Sequence, residues 1–203
     1  MNFTSCIARF RSLLPMALLA MFAGTASAHP GHAGHEIGGI GWGLVHPFTG
    51  LDHLLAMVAV GLWAVQLGGR ALWMLPLSFV SVMAVGGAFG MGGLVLPQVE
   101  PVILGSALAL GALVAMAARL PLVASVAIVG VSAFFHGQAH GVEMPEGGNG
   151  WMTILGFVVA TAALHGAGVG GGKLMQQVAT QRAVRACGVM IFVVAALLGL
   201  GAF

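Results

Sequence analysis

Eight consecutive residues, His46-Pro47-Phe48-Thr49-Gly50-Leu51-Asp52-His53, hold two imidazoles and a carboxylate, and they lead into the apolar run Leu54-Leu55-Ala56-Met57-Val58-Ala59-Val60. Titratable side chains are costly at membrane depth, so a cluster there points to ion binding, a proton relay or a held cofactor. Neutral imidazole with carboxylate suits divalent nickel, cobalt or zinc. A hydrogen-bonded pair, with Asp52 orienting His53, is the purely structural alternative. Read as one continuous helix, His46 and His53 would lie two turns apart, about 10.5 Å along the axis. Pro47 and Gly50 supply a break that lets the chain fold back.

The other histidines form three more groups. His29-Pro30-Gly31-His32-Ala33-Gly34-His35-Glu36 is a flexible, His-rich tether of the kind that collects borderline metals loosely. Phe135-His136-Gly137-Gln138-Ala139-His140-Gly141-Val142-Glu143 places His136 and His140 four apart, on one side of a helical turn. A glycine follows each of those histidines, so an opened helix with carbonyls joining the site is expected there. Glu143 is a candidate ligand at the outer mouth or, alternatively, a solvated loop acid. His165-Gly166 lies deep in an apolar stretch, where a lone histidine either binds an ion or hydrogen-bonds across helices. Counted from the inner boundary, His53 and His136 lie about 24 and 22 Å up, and His165 about 12 Å up. His53 and His136 thus share a level, with His165 as a second station beneath.

Cysteine adds nothing to a site. Cys6 precedes the expected cleavage point and Cys187 is then alone, so metal ligands must be nitrogen and oxygen.

The elements that position these residues are membrane spans. The chain of 203 residues is 59% hydrophobic and 6% charged, with a mean hydropathy of +1.04. A soluble domain has about a quarter of its residues charged. Arg9 and Arg11, the apolar run Leu13 to Ala23, and Ala26-Ser27-Ala28 have the layout of a secretory signal peptide over residues 1–28. Cleavage after Ala28 would leave residues 29–38 as a periplasmic tether and residues 39–203 as the membrane domain. Six apolar stretches follow: Gly39–Leu67, with its break at His46–Gly50, then Ala71–Met91, Val99–Ala118, Pro121–Phe135, Trp151–Gly170 and Ala183–Ala202. A hydrocarbon core of about 30 Å needs roughly 20 helical residues, and the fourth stretch reaches that by extending through His136 to His140. The expected fold is therefore an all-α integral membrane bundle of six transmembrane helices.

Charge placement orients the bundle. Arg70, Arg119, Lys173, Arg182 and Arg185 fall at one end, whereas Glu36, Glu100, Glu143 and Glu146 fall at the other. The positive-inside rule then puts both termini of the mature chain in the periplasm of a Gram-negative cell. Gly39-x-x-x-Gly43, Gly86-x-x-x-Gly90 and Gly166-x-x-x-Gly170 read as close helix packing within the monomer rather than dimerisation. Monomer and homo-oligomer are both open. No soluble domain, P-loop or dinucleotide fingerprint is left over, so no nucleic-acid partner and no built-in ATPase are expected.

The string His46-Pro47-Phe48-Thr49-Gly50-Leu51-Asp52-His53-Leu54-Leu55-Ala56-Met57, behind a signal peptide and a His-rich tether, closely resembles the HupE/UreJ family. Phe135 to Glu143 and Leu164-His165-Gly166 look like that family's later signatures, and the resemblance covers essentially the whole mature chain. It implies a small inner-membrane permease for Ni²⁺ or Co²⁺ tied to hydrogenase or urease maturation. His46, Asp52, His53, His136, His140 and His165 would then line the metal path. The H-x5-D-H spacing is also similar to the His/Asp motif of larger nickel/cobalt transporters.

Other classes are weighed against this permease. The expected function is a secondary transporter, with no permanent cofactor and no enzyme activity. A b-type haem protein needs only two facing histidines. A metallohydrolase is disfavoured because Gly137, not Glu, follows His136. A sensor or accessory protein that binds metal without transport completes the set.

Overall fold

The computed structural model describes residues 39–144 and 149–202. The expected signal peptide and the tether histidines His29, His32 and His35 lie outside the described residues. Two short pieces open the fold: helix α1, Ile40–Val45, and a single 3-10 turn, His46–Phe48. Six long helices follow: α2 Leu51–Leu67, α3 Ala71–Met91, α4 Val99–Met116, α5 Leu122–Val142, α6 Gly150–Val178 and α7 Gln181–Gly199.

The break expected in the first span is present. The Ile40–Phe48 segment meets α2 at 85°. Pro47 sits in the first turn of the 3-10 segment, where its missing N–H cannot continue the ladder of α1. Gly50 is extended (φ −96°, ψ 114°) and starts α2 in a new direction. A side chain at Gly50 would come within 2.9 Å of Nδ1 of His53, so this glycine also makes room for that ring.

Among the described residues, five helices are each long and apolar enough to cross a bilayer, and the bent pair makes six if it is one broken span. Their outward faces carry Trp73, Leu77, Phe89, Val123, Val131 and Val193, all exposed. An apolar outer surface over a packed interior is what lipid demands. The molecule is an all-helical, multi-pass membrane bundle.

Helix α2 is its axis. Almost every residue from His53 to Val65 is buried, because α3, α4, α6 and α7 all pack around it. Lipid gives helices no hydrophobic reason to associate, so close backbone approach must do that work. The closest such approach joins α3 to α5. A Cβ on Gly137 would collide with the Met83 carbonyl, one on Gly141 with the Gly87 carbonyl, and one on Gly86 with the Phe134 carbonyl.

That packing corrects one expectation. The helix does not open at Gly137 and Gly141; α5 runs unbroken to Val142. The glycines serve the α3 contact instead, and His136 and His140 stay on a regular helix. The extension of this span through His140 is present. Gly43 likewise packs on the α6 backbone at Thr153 and Gly156. Gly166 and Gly170, by contrast, meet nothing within 4 Å; Gly168 makes the close contact of α6, against Val58 and Gly61 of α2. The stretch expected to end at Gly170 also continues as helix to Val178. Lys173 therefore rides on α6, and only Ala179 and Thr180 link it to α7.

At the end bearing the basic residues, α4 closes on side chains of its neighbours. Trp63 Nε1 donates to the Ala118 carbonyl at 2.9 Å, Gln66 Nε2 to Val114 at 2.9 Å, and Arg185 Nε to Ala115 at 2.7 Å. These side chains reach carbonyls at a helix terminus, where the backbone ladder runs out; the Val114 carbonyl also accepts from the Ala117 N–H at 3.1 Å. At the opposite end, Gln138 Nε2 donates to the Leu94 carbonyl at 2.7 Å and ties α5 to the loop after α3.

Candidate metal centre

The break and the tight α3–α5 pairing bring four histidines of the two motifs together. Because the chain turns at Pro47 and Gly50, His46 and His53 both reach His140, with ring centroids 5.2 and 4.8 Å from it. His53 also meets His136, at 4.9 Å. The shared level of His53 and His136 thus holds in three dimensions. His46, on the irregular segment, joins them from the side.

The outer part is open. His46 Nε2 lies 3.1 Å from Glu143 Oε2, and Glu143, at the carboxy end of α5, is exposed. Donor atoms of His46, His140 and Glu143 all lie within 4.8 Å of one another. Three such donors from two elements make a plausible first coordination set for a borderline divalent ion. Trp42 stacks on His46 at 4.2 Å and Phe157 on His140 at 4.3 Å. Thr49 Oγ1 donates to the His46 carbonyl at 2.7 Å and pins the 3-10 turn.

The inner part is dry. His53, His136 and His140 are buried. Asp52 meets the cluster through His53. Its Oδ1 accepts from the His53 backbone N–H at 2.8 Å and faces His53 Nδ1 at 2.9 Å. A carboxylate behind an imidazole fixes the tautomer and orients the ring, as it does behind metal-bound histidines elsewhere. The structural alternative raised for Asp52 and the metal reading therefore coincide: the carboxylate positions, and Nε2 of His53 is left to bind. His136 is held in the same sense. Its Nδ1 donates to the Ser132 carbonyl at 2.8 Å, which frees Nε2.

Among the described residues, the buried side-chain atoms without a hydrogen-bond partner include Nε2 of His53, Nε2 of His136 and both ring nitrogens of His140 and of His165. Each buried polar atom left unmatched costs about 1–3 kcal/mol. A cluster of imidazoles carrying that cost fits metal cargo, because a cation is the partner these lone pairs lack.

His165 stands apart from the cluster. It is buried on α6 and contacts the ring of Phe79 at 4.9 Å, and Phe79 also contacts His136 at 5.4 Å. Phe79 thus touches both the cluster and His165. Sequence reasoning missed Phe79, Phe157, Trp42 and the Ser132 carbonyl. An apolar ring in an apolar helix sends no signal of its own, and a backbone carbonyl sends none at all.

Comparisons with known proteins show the family of the chain. A family model described as HupE / UreJ protein matches residues 16–198. Protein HupE of Rhizobium leguminosarum bv. viciae is 45% identical over 170 residues, covering 84% of this chain and 88% of that protein. No solved structure matches. The match runs through every motif that lines the site, and on it the chain belongs to the HupE/UreJ family.

Proposed function

We propose that this protein is a secondary transporter that imports Ni²⁺ or Co²⁺, with Zn²⁺ a further candidate, across the bacterial inner membrane for maturation of a hydrogenase or urease. The observation that carries the proposal is a run of touching imidazoles with unpartnered nitrogens. It leads from the exposed His46–Glu143 mouth to the buried pair His53 and His136. The ion is cargo, held by His46, His140 and Glu143 first and then by His53 and His136; His165, which shares the Phe79 ring as a neighbour with His136, receives it next. In this reading the tether histidines His29, His32 and His35 gather ions on the periplasmic side, and the basic end faces the cytoplasm. The protein has no catalytic step and no permanent cofactor. Against the haem alternative stand rings that contact one another directly, with centroids 4.8–5.2 Å apart, where bis-histidine ligation needs a porphyrin between two of them.

One observation favours a second reading. Phe79, a ring with no donor atom, contacts both His136 and His165, as would suit a membrane sensor that binds metal and goes no further. Radioactive nickel uptake in cells lacking other nickel importers separates the two. The transport reading expects uptake above background, falling to background in His46→Ala and His53→Ala. Asp52→Asn should weaken apparent affinity by roughly 10–100-fold, the usual cost of losing a residue that orients a ligand. Undiminished uptake in all three variants would defeat the reading, and metal binding without any uptake would favour the sensor.

A further inference from the structure

Between the histidine cluster and His165 stands a side chain that the metal path leaves without a role. Met83 lies one turn beyond Phe79 on α3 and is 2% exposed. With Ala84, Gly87, Gly137, His140, Ile154 and Phe157 it lines a cavity of about 10 Å³, in which His140 and the Met83 thioether are the side chains that carry donor atoms. Its Sδ accepts a hydrogen bond from Thr161 Oγ1 at 3.4 Å. Thr161 is fully buried and lies one turn before His165, four residues away on the same side of α6. Two rungs therefore connect α3 and α6: the Phe79 ring against His165, and the Met83 sulfur against Thr161.

We infer that Met83 Sδ is a further metal-binding atom, a soft station between His140 and His165. This rests on the metal-transport reading and adds a sulfur donor to a path so far built of nitrogen and oxygen. Three observations support it. First, Met83 shares its cavity with His140, whose two ring nitrogens have no partner. Second, the cavity is at the lower limit of what holds one water, so an ion entering it has shed its hydration shell and needs protein donors. Third, the Thr161 hydroxyl orients an otherwise flexible thioether and uses only one of its lone pairs.

A thioether is uncharged and binds weakly. It can thus take an ion from imidazoles and give it up again, as a multi-site path requires. Thioether ligands also favour borderline and soft ions over hard Mg²⁺ or Ca²⁺. Packing alone would ask only for an apolar side chain of that volume, and leucine would serve equally well.

The test uses the purified full chain in detergent, loaded with nickel, and X-ray absorption at the nickel edge. Wild type should show a sulfur scatterer beside nitrogen and oxygen, and Met83→Leu should lose the sulfur while its thermal melt stays put. In cells, Met83→Leu should lower nickel uptake by about tenfold, the lower range for disturbing a metal's surroundings. Thr161→Val should lower it in the same direction, because it frees the thioether to turn away. Nickel bound through nitrogen and oxygen only, or wild-type uptake by Met83→Leu, would overturn the sulfur station and leave the transport reading standing. Absence of nickel binding by wild type would overturn both.

Discussion

At the residue scale the proposed centre carries a cost in stability. His165 is buried with both ring nitrogens unpartnered, an arrangement selection tolerates only where the group has a task. His165→Phe keeps a planar ring and removes both nitrogens. It should raise stability in a detergent melt by about 1 kcal/mol, the lower end of the cost of an unmatched buried group, while nickel uptake is lost. A variant that transports normally would remove His165 from the path. The imidazoles also set a pH dependence. A ring must be neutral to offer its lone pair, so protons and metal compete for the same nitrogen and metal affinity falls as the pH falls. Nickel uptake measured at pH 7.5 and pH 5.5 should differ severalfold in favour of the higher value, whereas equal rates would argue against histidine ligation.

At the element scale the path depends on how closely α3 and α5 approach. Gly137→Ala would push a Cβ into the Met83 carbonyl and move His136 and His140 with the helix. Overpacking of that kind costs roughly 1–3 kcal/mol. Gly166→Ala meets nothing and should leave the melt unchanged or slightly raised. Paired thermal melts of the two variants check this directly.

The same elements show what a sequence can and cannot reveal. The break before α2 was legible because Pro47 and Gly50 act locally through a missing donor and a change of direction. The convergence of His53 and His136 was legible from depth alone, since helical rise is fixed. The unbroken course of α5 was not, because a glycine that permits close packing looks like a glycine that ends a helix; only the neighbouring backbone decides. The length of α6 was hidden for a related reason. Gly170 to Lys173 reads as a terminus, yet the helix continues through Gln176 and Gln177, both exposed. The contact of Asp52 needed a distance: type and spacing allow a ligand or an orienting group, and Oδ1 lies 2.9 Å from His53 Nδ1, where it can orient that ring.

At the scale of the whole molecule, the bundle has two unlike ends. Glu100, Glu143 and the His46 mouth lie at one, and Arg70, Arg119, Arg182 and Arg185, all exposed, lie at the other. That asymmetry predicts the orientation that import needs, with the mouth outside. Alkaline phosphatase fused after Ala202 should be active, since it folds only in an oxidising compartment, and a cytoplasmic reporter at the same site should be silent; the reverse pattern would invert the path.

The central claim is that the histidine cluster carries a divalent metal ion across the membrane. Purified protein in sealed liposomes, with a nickel-sensitive dye inside, tests it with nothing else present. Wild type should fill the liposomes with nickel well above the protein-free leak, and His140→Ala, which removes the ring touching both His46 and His53, should return to that leak. Nickel entry no faster with wild type than with empty liposomes, or equally fast with His140→Ala, would contradict it.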